Sequence, residues 1–98
     1  MTVVSVLRLT TRPGKERELV RAFAELEIFE RSRESGGFLG GRLLGPVAGG
    51  PFLVVAEWAS ANDYQGWLDN PVRSELGERL EPLLGDEVQS GELYEEEC

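Results

Sequence analysis

The stretch Phe52 to Pro71, FLVVAEWASANDYQGWLDNP, decides how the rest of the chain is read. Phe52 to Trp58 is aromatic, β-branched and aliphatic with one charge, Glu57, which predicts a strand covered on both faces. Ser60 ends that run. Ser60 and Asp63 have the spacing of a capping box, with Asp in place of the usual Glu, so a short helix is predicted over 62–69. Tyr64, Trp67 and Leu68 recur at i, i+3 and i+4 and share one face of it. Asn70-Pro71 closes this turn and can cap the next helix, with Pro at its first position. One strand and the helix after it therefore bring Trp58, Tyr64 and Trp67 together, and any aromatic pocket is expected there.

Working outward, Thr2 to Thr10 is rich in Val and Leu on both alternating sets, a central strand. Its odd charge, Arg8, either snorkels to the sheet edge or meets an oxygen-rich ligand in a cavity. Arg12-Pro13-Gly14 is a turn. Lys15 to Glu34 reads as one long helix, with Leu19, Ala22, Phe23, Leu26 and Phe29 on a core stripe and Gly36-Gly37 as its stop. Phe38 to Leu44 is a strand whose Gly40-Gly41 predicts a bulge or a close backbone approach. Pro46 to Pro51 is a hairpin loop. Its Gly-Gly is not a phosphate cradle, because strand follows strand and no helix N-terminus is offered. Val72 to Leu84 is a further helix, kinked or stopped by Pro82, and Val88 to Glu96 is a last strand anchored by Val88, Leu93 and Tyr94.

The order β-α-β-β-α-(α)-β predicts an α+β, ferredoxin-like split βαβ fold: a four-stranded antiparallel sheet with helices on one face, as a single domain over residues 1–98. Helices on one side leave the other face bare, yet the first and third strands are apolar on both sets. A C2 homodimer packed sheet to sheet, a dimeric α/β barrel, is expected to cover it. The pocket then lies between each sheet and its own helices.

Composition narrows the chemistry. A net charge of -8 repels nucleic-acid phosphates and anionic membrane surfaces, so neither is an expected partner. No apolar run is long enough for a membrane span and no signal peptide is evident, which with one Cys, Cys98, points to a cytoplasmic protein. The terminal Cys98 reads as a chain end rather than a nucleophile. The chain has no His, which excludes a His-rich metal site, a Ser-His-Asp or Cys-His system and His-ligated haem. No metal and no cofactor are expected.

The segments GGFLGGRLLGP, FLVVAEWASANDYQGW and NPVRSEL resemble the antibiotic biosynthesis monooxygenase (ABM) domain family over nearly the whole chain. The strongest sign is Trp58-Ala59-Ser60 followed by Tyr64 and Trp67. One branch, similar to the anthrone oxygenases, implies cofactor-free oxidation of a phenolic substrate by dioxygen. Its site implies a Trp, an Asn four residues earlier, a Tyr six residues later and an Arg in the following helix. Trp58 and Tyr64 match; the Asn position is Val54 and the Arg position falls near Gly77, with Arg73 and Arg79 as neighbours. A second branch degrades haem, and its implied Trp matches Trp67, whereas its strand-one Asn and its His ligand fall on Leu7 and Leu76.

Three functions follow. The first is a cofactor-independent monooxygenase for a small electron-rich aromatic molecule, quinone-forming and of the polyketide type. Trp58 and Tyr64 carry its catalysis, Trp67 walls the pocket, and Arg8, Arg42 or Arg73 steadies the substrate anion. The second is a non-catalytic module that binds an apolar metabolite in the same pocket. The third, haem binding without turnover, ranks last. A catalytic pocket beside Trp58 is expected to reach ~300 Å³.

Overall fold

A computed structural model describes residues 1–85 and 91–97. It shows β1 (Val3–Leu9), α1 (Glu16–Glu25), α2 (Ile28–Glu34), β2 (Phe38–Leu44), β3 (Phe52–Trp58), α3 (Ala61–Leu68), α4 (Pro71–Leu80), a 3-10 turn (Glu81–Leu83) and β4 (Gly91–Glu95). The strands form one antiparallel sheet in the order β2-β3-β1-β4. This is the ferredoxin-like α+β arrangement, and the sheet is open, with β2 and β4 at its edges.

Register sorts the side chains. Ser5 pairs with Ala56, Leu7 with Val54 and Leu9 with Phe52, so these face the helices, while Val4, Val6 and Arg8 point the other way. The helix side holds the core. Leu19 and Phe23 of α1, Ile28 of α2, and Leu76 and Leu80 of α4 are buried against it. The opposite face is not covered within the chain, as expected of a sheet with helices on one side only. Leu53 and Val55 are only half-buried, and Tyr94 is 49% exposed.

The single helix expected over 15–34 is two. Glu27 adopts a left-handed conformation, φ 51°, between α1 and α2. That conformation costs a non-glycine residue about 1–2 kcal/mol. The apolar stripe continues across the break, so periodicity alone gave no sign of it. The bend turns Ile28 and Phe29 onto the sheet. The fourth helix stops at Leu80, and Pro82 sits in the 3-10 turn after it. For the last strand, Val88 lies outside the described residues, as does Cys98. Leu93 and Tyr94 are more exposed than core anchors, since β4 is an edge strand.

The caps around α3 and α4 form as the residues dictate. Ser60 Oγ accepts from the Asp63 backbone N–H at 3.1 Å and donates to Asp63 Oδ2 at 2.9 Å. Asn70 Oδ1 accepts from the Val72 N–H at 2.9 Å, with Pro71 opening α4. The strand β2 is bulged between Phe38 and Gly40, while Gly41 lets the Phe29 ring close on the backbone: a Cβ there would approach the ring to 2.7 Å. No helix among the described residues is long and apolar enough to cross a membrane.

Candidate active site

Between the sheet and its helices lies a partly enclosed cavity of about 210 Å³. Its walls are mainly apolar. Trp58 closes one side, 1% exposed, edge-on to Phe38 with ring centroids 5.2 Å apart. Phe29 stacks on Phe38 from the bend after α1, with centroids 6.2 Å apart. Trp67, buried on α3, and Leu76 of α4 complete the wall. The capped start of α3 fixes Tyr64 one turn before Trp67, its ring tilted against Trp58 at 5.6 Å.

Few polar groups reach this space. Tyr64 is held neutral beyond the ordinary phenol range, because burial raises its pKa more than the nearby Arg73 guanidinium lowers it. Arg73, in the first turn of α4, lines the cavity. No hydrogen bond or ion pair engages the Tyr64 hydroxyl or the Arg73 guanidinium among the described residues. Two serines add hydroxyls: Ser5 Oγ accepts from the Trp58 indole N–H at 3.1 Å, and Ser32 Oγ donates to the Ile28 carbonyl oxygen at 2.8 Å. Among the described residues, no cluster of His, Cys, Asp and Glu could hold a metal.

Residues 2–79 match the sequence model of the antibiotic biosynthesis monooxygenases. The chain belongs to this family. Among curated proteins, no sequence matches it. As an ABM domain it is similar to SnoaB, a cofactor-independent oxygenase from Streptomyces nogalater: 20% identity over 99% of this chain and 94% of that one, TM-score 0.79. It is also similar to the haem degrader MhuD (Rv3592) of Mycobacterium tuberculosis, solved with two haems bound in its active site. That likeness is 30% identity over 95% of this chain and 93% of that one, TM-score 0.76. A putative antibiotic biosynthesis monooxygenase from Bordetella bronchiseptica overlays with TM-score 0.83 at 14% identity, covering 99% of this chain and 98% of that one.

The positions that the ABM resemblance implies do surround the cavity: Leu7, Val54, Leu76 and Gly77 all line it, each without a polar side chain. Of the arginines expected near substrate, only Arg73 lies here. Arg8 is corrected to the opposite sheet face, where its Nη1 donates to Glu92 Oε1 at 2.7 Å. Tyr94 donates to the other Glu92 oxygen, and the two bonds hold that carboxyl below its ordinary pKa. Arg42 pairs in register with Val55 and is likewise on the far face. Strand alternation decides both cases, since one step along a strand exchanges the faces.

The sequence reading missed Ser5 and gave Phe29 to the core. Ser5 had a usable sign: it is the one hydroxyl in the inward set Val3, Ser5, Leu7, Leu9. Phe29 had none, because its exposure to the cavity depends on the bend at Glu27.

Proposed function

We propose that this protein is a cofactor-independent monooxygenase of a one- or two-ring electron-rich aromatic molecule. The observation that carries the reading is an aromatic cavity lined by two residues whose donors are unengaged among the described residues, Tyr64 and Arg73. An apolar cavity of ~150 Å³ holds one benzene, so the 210 Å³ here suits a naphthol better than the tricyclic anthrone of the resembled branch.

The reaction needs no external reductant. A phenol that has ionised in solvent enters as its phenolate and passes one electron to dioxygen; the peroxide anion formed later takes up the one proton that ionisation released. Recombination at the para carbon gives a peroxide, and loss of water leaves a second carbonyl: ArOH plus O₂ gives quinone plus H₂O. Trp58, Trp67 and the phenylalanines exclude bulk water. Arg73 favours the phenolate, and neutral Tyr64 donates to its oxygen. Oxygen uptake and quinone absorbance with 1-naphthol, in the presence of a chelator, test the reading. Rates at the blank level for both the protein and its Trp58→Phe variant would remove it.

A second reading, a binding module without turnover, draws on two facts. The cavity falls short of the ~300 Å³ expected of a catalytic pocket, and no carboxylate or imidazole lines it as a general base. Haem fits poorly. The chain has no His, and Leu76 stands where the resembled haem degraders place their ligand. A hemin absorbance titration without a shifted Soret band would close that option.

The working form is a homodimer whose uncovered sheet faces meet, supported by half-buried Val4, Val6, Leu53 and Val55 on that face.

A further inference from the structure

We propose that Ser5, and not Trp58, donates the hydrogen bond that this cavity offers to a substrate oxygen at its sheet wall. The inference rests on the cavity being the aromatic-binding site. The Trp58 N–H is already used: it donates to Ser5 Oγ at 3.1 Å inside a buried pair, so no donor remains on the indole. Ser5 is in the opposite position. One lone pair of its oxygen is taken by the indole, while its proton has only the Ala56 carbonyl oxygen at 3.5 Å, beyond the usual range for an O–H donor. A buried hydroxyl with so weak an outlet calls for an explanation.

Geometry supplies one. Ser5 is 6% exposed and lines the cavity from the middle of β1, held by pairing to both β3 and β4. It cannot turn to solvent. Accepting from the indole also polarises the O–H and makes it a better donor. The ligand class follows: an arene carrying a carbonyl, phenol or phenolate oxygen that points at β1, not a plain hydrocarbon. Trp58 is then a positioning residue that acts through Ser5.

Calorimetric titration separates the two assignments without turnover. 1-Naphthol is compared with 1-methylnaphthalene, of the same shape, and the ratio of their affinities is the readout. In Ser5→Ala the preference for the naphthol falls about 5- to 10-fold, the loss of one hydrogen bond. In Trp58→Phe, which keeps the hydroxyl, most of the preference remains, and Ser5→Thr restores it. A preference that survives Ser5→Ala but disappears in Trp58→Phe overturns the assignment, as does one unchanged in both. If Ser5→Ala fails to fold, Ser5→Cys, a weak donor, carries the same expectation. Should neither arene bind the unmodified protein, the oxygenase reading and this one both fall. Binding that ignores Ser5 sinks only this one.

Discussion

The Tyr64 hydroxyl lies against Gly91 of β4, so closely that a β-carbon at residue 91 would overlap it. An edge strand thus decides where the pocket's phenol can stand. Gly91→Ala is expected to displace Tyr64 and weaken 1-naphthol binding about tenfold. The residue is exposed and its backbone lies in a strand, so the melting temperature should move by no more than ~2 °C. Calorimetry and thermal denaturation of the same sample check both halves.

Burial keeps Tyr64 protonated, which fixes its pH behaviour. Its folded-state pKa is raised above 10.0, chiefly by desolvation and against the pull of Arg73. Stability owed to the neutral phenol is therefore intact below pH 10 and is lost as pH rises through the higher folded value. Phenolate absorbance near 295 nm, as the difference between the protein and Tyr64→Phe, should show a midpoint above 10. Arg73→Gln should push it higher still. A midpoint that falls in Arg73→Gln would contradict the placement of the guanidinium.

Gly37 faces two constraints at once. It has φ 74°, and a Cβ there would collide with the Asp63 side chain that completes the Ser60 cap. Gly37→Ala is expected to destabilise the fold by about 2–4 kcal/mol, through backbone strain and a disturbed start to α3. Ser60→Ala, which removes only the cap, should lose about 1 kcal/mol. Urea denaturation ranks the two.

Val55 pairs with Val6 at the middle of the uncovered face. A glutamate at this position would place two carboxylates at a symmetric sheet-to-sheet contact, without disturbing the helix side. Val55→Glu should convert a dimer to a monomer in sedimentation velocity, with far-UV circular dichroism unchanged. A unmodified protein that already sediments as a monomer would remove the dimer from the functional model.

The strands were legible because their signals are local and strong. Phe38–Leu44 and Phe52–Trp58 stand where the apolar runs put them, and Ser60 and Asn70 cap the helices that follow them. The cluster of Trp58 and Tyr64 followed from this, because a strand and the helix capped after it leave little freedom between them. What failed needed three-dimensional information. Arg8 and Arg42 each had two faces available, and only the pairing register chose the outer one. The break at Glu27 involves a residue with no turn chemistry, so nothing in 15–34 announced it. Ser5 was visible but reads as an ordinary strand residue until Trp58 is found beside it.

The bend at Glu27 has a further bearing. It rolls Phe29 over Gly41 and so sets how wide the chamber is, although Glu27 itself is exposed and does not line the chamber. A straighter or longer link between these two helices would swing the phenyl ring aside and admit a bulkier guest, with every wall residue unchanged. The size of the proposed guest is thus set from the outer surface, at a bend whose own residue does not line the chamber.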